Sequence, residues 1–331
     1  MTEILYFNRI DSHAPIPTIY REVGKRIEYD VSGFVGAESS KHKKFDELET
    51  IPLYGNKWQR GLTYLWSCLS DYDIIHTSAR YSPITLAPRF ISGTKIVFTF
   101  HNAEEFGCMD WYFHVYRRMM TRFSDSVTVV SPFLAEMVED RYGVQPITIA
   151  NGVNLNRYKP DLETTQNDLF LFIGRAKKRK NIYFIIKLAR RRPEYEFTFC
   201  ASGLNETQYQ AIESLPNTDI RNSISEDDLA RLYSKSSATL CPFEREGFGM
   251  VVIESLASGT PVIALNDGNL PNLINHGENG IICDNLSIND WIDSVDYIYN
   301  HPGLFTTRPC VIDYSWENIA NQYQLFYKSI I

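Results

Sequence analysis

A chain of 331 residues that is 44% hydrophobic and 22% charged has the balance of a globular protein and enough length for two hydrophobic cores. Its net charge of −7 argues against nucleic acid as a partner, and its six cysteines, widely spaced with no Cys-x-x-Cys pair, suit neither a zinc framework nor a disulfide scaffold. No apolar run approaches the ~20 residues of a spanning helix, and MTEILYF lacks the basic and apolar regions of a signal peptide, so a cytoplasmic protein is expected.

In chain order, EILYFN opens as a strand and is followed by NRIDSHAPIPTIY, which has two prolines and no glycine. YDVSGFVG, DIIHTS, TKIVFTFH, SVTVVS and ITIANG continue the series of short strands. Lys41–Lys44 (KHKK) is a local basic run. Asp71-Tyr72-Asp73 spells the Asp-x-Asp pattern of some metal sites, but it precedes the strand DIIHTS, where acidic turns are common, and reads as a turn. No His-Glu-x-x-His or cysteine cluster offers another metal site, and none is expected. His76 and His101 each sit toward the end of a strand. MDWYFHVYRRMMTRFSD (109–125) reads as a helix with two possible uses. It would either make weak peripheral contact with the inner face of a membrane, or pack its apolar face inward and expose its arginines, the preferred reading.

ANGVNLNRYKPDLETTQNDLF has turn signals and no periodicity, and marks a linker. LFLFIGR, EFTFCASG, TDIRNS, ATLCPF, PVIAL and NGIICD are the strands beyond it, and YSWENIANQYQLFYKSII closes the chain as a helix with Ser315 as its cap. Continuous apolar strands alternating with helices indicate parallel sheets covered on both faces. Twelve such strands exceed one ordinary open sheet, so two α/β domains are expected.

The densest chemistry lies in FEREGFGMVVIESLASGTPVIA. ATLCPF delivers the chain to EREGFG at a strand's carboxyl end, where open α/β sheets collect ligands. Gly247 and Gly249 permit close approach to the backbone, and the following helix start offers N–H groups to an anion. Glu254 stands about five residues into that helix, roughly 7.5 Å along its axis, so it and Glu246 would line different parts of one elongated ligand. Carboxylates accept hydrogen bonds from adjacent hydroxyls, such as those of a sugar or ribose. The alternatives left open are a dipole-complementing Glu246 and a Glu254 that is partly exposed or ion-paired.

Glu246-Gly247-Phe248-Gly249, then Glu254 after four further residues, resembles the Glu–seven–Glu motif of retaining GT-B-fold glycosyltransferases, in particular glycosyltransferase family 4. SLASGTPVIA, FIGRAKKRKN, SISEDDLARLYSKSSATLCPF and SPFLAEMVEDRYGVQPITIANGVN resemble further segments of that family in the same order. The resemblance implies two Rossmann-like α/β domains facing across a cleft. Residues 1–155 would bind the acceptor, 156–314 the nucleotide-sugar donor, and 315–331 would form a helix crossing back to the first domain.

Carried over by position, Glu254 would hold the donor ribose, and Glu246 would face the transferred sugar. Ile224, Phe248, Gly249 and Met250 would line the donor site. Arg175 and Lys180 would bind the diphosphate, and His101 would hold sugar or acceptor. Asn181 stands where the family commonly has Gly. Lys177, Lys178 and Arg179 lie outside the pattern and read as a solvated charged face. The first loop lacks the family's Gly-Gly, leaving His13 or Arg9 as acceptor-side candidates. The implied activity is metal-independent transfer of a hexose-type sugar, without a cofactor, from a nucleotide-diphosphate sugar to a glycan, lipid-linked or small-molecule hydroxyl. The competing reading is a GT-B scaffold that binds a nucleotide sugar or glycan without transfer.

Overall fold

The computed structural model describes residues 2–9, 15–36, 44–45, 48–53, 57–78, 83–106, 111–161 and 168–331. The chain forms two compact units, one of Met1–Gly152 with Trp316–Ile331, the other of Val153–Ser315.

The first unit contains β1 (Glu3–Arg9), α1 (Pro15–Gly24), β2 (Asp30–Gly36), β3 (Lys44–Phe45), β4 (Leu48–Leu53), α2 (Lys57–Cys68) and β5 (Ile74–Ser78). It continues through α3 (Ala87–Ile91), β6 (Lys95–Phe100), α4 (Trp111–Phe123), β7 (Ser126–Val129), α5 (Pro132–Tyr142) and β8 (Ile147–Thr148). Among the described residues the sheet order is β3-β4-β2-β1-β5-β6-β7-β8, parallel except for the β3–β4 pair. β3 and β4 escape the sequence reading. Leu48 and Leu53 are buried at the ends of β4, but Glu49 is exposed and residues 50–52 are half-buried, so no apolar run announces the strand.

The second unit contains β9 (Leu169–Arg175), α6 (Ile182–Arg191), β10 (Glu196–Ser202), α7 (Glu206–Glu213), β11 (Thr218–Ile220), α8 (Glu226–Lys235) and β12 (Ala238–Cys241). After these come α9 (Met250–Ala257), β13 (Val262–Leu265), α10 (Leu270–Leu273), β14 (Gly280–Cys283) and α11 (Ile288–Asn300). Its strands are parallel in the order β11-β10-β9-β12-β13-β14, so the order reverses between β9 and β12. Fully buried side chains along β12 and β13 explain why these strands read as continuous apolar runs.

The last helix, α12 (Trp316–Ile330), belongs to the first unit. Its Trp316, Ile319, Tyr323, Phe326 and Tyr327 join Ile19, Tyr20 and Val23 of α1 in covering Ile4, Tyr6, Ile74 and Val97 of the sheet. His76 and Tyr327 carry polar groups into this core, and both are paired there. His76, inside β5, has Nδ1 2.6 Å from the Tyr327 hydroxyl and Nε2 2.5 Å from the Thr99 hydroxyl. Tyr327 also donates to the Tyr6 hydroxyl at 3.4 Å. His76 is therefore a hydrogen-bonded core residue. Asp73 lies just before β5, where its carboxylate accepts the Glu3 N–H at 2.8 Å and so ties down the start of β1.

Gly152 sits beneath Trp316, where an added Cβ would run into the indole ring. Gly152→Ala should therefore destabilise the first unit by about 1–3 kcal/mol, the usual cost of overpacking. Urea unfolding of the variant beside the parent checks this, and an unchanged transition would contradict it.

Candidate functional site

The strand-order reversal in the second unit places two loops side by side at the carboxyl ends of β9 and β12. That is the position where open α/β sheets bind ligands. A third loop, Asn266–Asn269, leaves the neighbouring β13.

The β9 loop leaves Arg175 exposed, turns through Lys178–Lys180 and reaches Asn181 at φ 51°. That left-handed conformation suits Gly, but Asn tolerates it better than other residues and brings an amide. Asn181 Nδ2 donates to the Pro242 carbonyl at 2.8 Å and to Glu244 Oε1 at 3.2 Å, stitching the β9 loop to the β12 loop. The departure from the commoner Gly thus adds a cross-loop bond.

Lys180 is 8% exposed. Its ammonium lies 3.4 Å from the centroid of the Phe243 ring and donates to Glu246 Oε2 at 2.7 Å. Arg179 Nη1 donates to the same oxygen at 3.1 Å. The solvated-face reading of the charge run needs correction here. Lys178 is exposed, whereas Arg179 is partly buried against Glu246, a partner far along the chain that local charge pattern cannot reveal. Arg175 makes no ion pair among the described residues and presents its guanidinium to solvent.

Beyond Glu246, Phe248 is buried, Gly249 caps α9 at φ 108°, and Met250 is half-buried. No side chain caps α9, so its first turn begins at a glycine with backbone N–H groups available to an anion. The β13 loop clamps this stretch from the other side. Asn269 donates its N–H to the Glu246 carbonyl at 2.9 Å and its amide to the Phe248 carbonyl at 2.8 Å, while Asp267 accepts the Arg245 N–H at 3.0 Å. Gly268, at φ 63°, lies so close to Glu246 that a Cβ would collide with its backbone. Sequence reasoning passed over Asn266–Asn269. The available signal was Asn-Asp-Gly-Asn, a turn cluster at the carboxyl end of a strand.

Glu254 has different surroundings. It is half-buried on α9 and accepts the Tyr233 hydroxyl at 3.0 Å. Burial raises its pKa from the ordinary 4.5 to about 7, the Tyr233 hydrogen bond opposing the shift and the Glu226 charge adding to it. α9 is held at its far end by Arg308, which donates to the carbonyls of Ala257, Tyr158 and Leu155 at 2.7–2.8 Å. Ile224 is half-buried in the segment leading to α8.

In the first unit, His101 follows β6 and is 6% exposed. Its Nε2 lies 3.3 Å from the Tyr20 hydroxyl, and its buried Nδ1 has no hydrogen-bond partner among the described residues. Burial pushes its pKa down to about 3, so the ring is neutral near pH 7. His13 lies outside the described residues. Among those described, no group of three or more His, Cys, Asp or Glu is placed to hold a metal ion.

Residues 156–308 match the family model described as glycosyl transferases group 1, and residues 28–157 match that described as Glycosyltransferase Family 4. The chain belongs to the GT4-like glycosyltransferases of the GT-B fold. It is 28% identical over 190 residues to an uncharacterized glycosyltransferase of Haemophilus influenzae, covering 54% of each chain. It is 28% identical over 193 residues to a D-inositol 3-phosphate glycosyltransferase of Paenarthrobacter aurescens, covering 52% of this chain and 46% of that one. These matches thus span about half the length of the curated relatives. A crystal structure of Anabaena HepE in complex with UDP and glucose superposes with a TM-score of 0.81 at 15% identity, over 99% of this chain and 100% of that one. At that identity the likeness establishes the fold, two Rossmann-like α/β domains.

The Glu254 environment predicts a pH dependence. Its folded pKa, about 7, exceeds the ordinary 4.5, so between those values the folded state binds more protons than the unfolded state. Its contribution to stability is fully present below about 4.5 and is lost as pH rises through 7. Urea unfolding at pH 5 and pH 7.5 should show a larger loss in the parent than in Glu254→Gln. Equal losses would contradict the assignment.

Proposed function

We propose that the chain transfers a hexose-type sugar from a nucleotide-diphosphate sugar to a hydroxyl of a glycan, lipid-linked or small-molecule acceptor, with retained anomeric configuration and without a metal ion. The observation that carries this reading is the convergence, beside the strand-order reversal of one Rossmann-like unit, of cations, two differently held glutamates and a glycine-started helix. The complex of the fold relative HepE with UDP and glucose supports a donor of this class.

In this reading Glu254 accepts hydrogen bonds from the ribose hydroxyls, and the Phe248–Met250 backbone with Ile224 lines the rest of the donor. Arg175 and Lys180 neutralise the diphosphate, and Glu246 positions the sugar. As the bond between the anomeric carbon and phosphate oxygen breaks, negative charge grows on the departing phosphate, and fixed cations stabilise it. The acceptor oxygen bonds to the same face of that carbon and passes its proton to the departing phosphate oxygen. His101 belongs to the acceptor-side unit and acts as a neutral hydrogen-bonding ring.

Glu254→Ala should weaken even a sugar-free nucleoside diphosphate, by about 1.5–3 kcal/mol or roughly 10- to 150-fold in Kd. Glu246→Ala should bind that diphosphate as tightly as the parent or more so, because the Lys180 ammonium loses its carboxylate partner, and should lower turnover instead. Calorimetric titration with the best of UDP, GDP, ADP and dTDP tests the division. Equal losses, or a loss at Glu246 alone, would contradict this assignment of roles.

Transfer or donor hydrolysis should survive excess EDTA. Activity abolished by chelation and restored by Mn²⁺ or Mg²⁺ would overturn the metal-free scheme.

A further inference from the structure

One surface of the first unit remains unexplained by transfer chemistry. α4 turns Tyr116, Arg117, Met120 and Thr121 inward. Its outward side carries Trp111 at 76% exposure, with Tyr112, Val115, Met119 and Phe123 also exposed, interspersed with exposed Arg118 and Arg122. The preferred reading of this helix, apolar side in and arginines out, therefore needs correction. Arg117 is buried, and the outward side holds large apolar groups as well as arginines.

The patch extends beyond one helix. Phe90 and Ile91 of α3 are each 70% exposed, and the rings of Phe90 and Phe123 lie 6.4 Å apart, joining α3 to α4. α2 exposes Leu62 and Trp66. Tyr64 of α2 packs on Phe7 and Phe34, while Tyr116 of α4 packs on Phe98. Strand register pairs Tyr6 with His76, and Thr77 with Phe98, so Phe7 and Phe98 point to one face of the sheet. α2 and α4 thus cover the same face and turn their outer sides the same way. Single exposed apolar residues are ordinary, but a cluster this extensive on one side marks an interaction surface.

We propose that this side of the first unit docks onto an anionic lipid bilayer, with the aromatic and aliphatic groups entering the interface and Arg118 and Arg122 meeting lipid headgroups. Charge selects this occupant. Neither α3 nor α4 contains Asp or Glu, although the whole chain carries −7. Asp125, just after α4, is already paired with Arg89 and Lys95. Two copies meeting through this surface in an isologous contact would bring arginine-bearing helices together with no carboxylate on α3 or α4 to answer them. An anionic interface satisfies both the apolar and the cationic groups, while the chain's net negative charge disfavours other orientations. No described helix is long and apolar enough to cross a membrane, so the proposed attachment is by surface contact.

The proposal is independent of donor chemistry and is read without an activity assay. The full chain should co-sediment with phosphatidylcholine vesicles containing phosphatidylglycerol, much less with pure phosphatidylcholine, and less as salt rises. R118Q/R122Q should lower partitioning about fivefold per arginine, corresponding to ~1 kcal/mol for a basic residue near an anionic surface. W111S/V115S/M119S should abolish binding while unfolding thermally like the parent. Failure to bind the anionic vesicles, or unchanged binding in either variant, would overturn the proposal. So would a concentration-dependent dimer in sedimentation that W111S/V115S/M119S removes, because that would assign the surface to a second copy.

Discussion

A nearly buried ammonium organises the second unit's site. Lys180 can keep its charge at 8% exposure because Glu246 supplies an opposite charge at 2.7 Å and the Phe243 ring supplies a negative face at 3.4 Å. All three groups come from loops at the carboxyl ends of adjacent strands, so neither loop can shift without exposing a cost in the other. The backbones reinforce this dependence: Glu244 donates its N–H to the Arg179 carbonyl at 2.9 Å, and Asn181 binds the Pro242 carbonyl. A glycine at 181 would adopt the same backbone angle but could not make that bond.

From this arrangement follows the separation of two glutamates that share a motif. Glu246 faces two cations through one oxygen, so its charge is compensated within the protein. Glu254 has one hydroxyl donor and a desolvated setting that favours the protonated form. A ligand bringing positive charge would gain little at Glu246, which already faces Lys180 and Arg179, whereas paired hydroxyls would supply the donors that Glu254 lacks. The β13 loop fixes the Glu246 backbone through Asn269 and Gly268, limiting how far that carboxylate can follow a ligand.

The first unit uses polarity differently. His76, Thr99, Tyr6 and Tyr327 form a buried hydrogen-bonded cluster under α12, and Thr99 and Thr128 extend it at 2.5 Å. Because Tyr327 lies in the last helix, the chain's two ends are joined by side-chain hydrogen bonds as well as apolar packing. His101 differs from His76 in retaining a buried ring nitrogen without a partner, although both rings are kept neutral by burial.

The apolar strands and helices between them, the two α/β sheets, the Glu246 loop and the Gly249–Gly259 bounds of its helix were all legible in the sequence. Each depends on residues adjacent along the chain: buried parallel strands become apolar runs, and left-handed turns select glycine. β3 and β4 were not legible because β4 is apolar at its ends and polar between them. Nor was the role of Arg179, since a lysine–arginine run has the same local appearance whether water or Glu246 faces it. The α4 sequence contains apolar and arginine residues on more than one side, and periodicity alone does not say which side meets the sheet. Only tertiary structure decided these points, because side-chain direction and charge compensation are set by groups brought close through folding from distant parts of the chain.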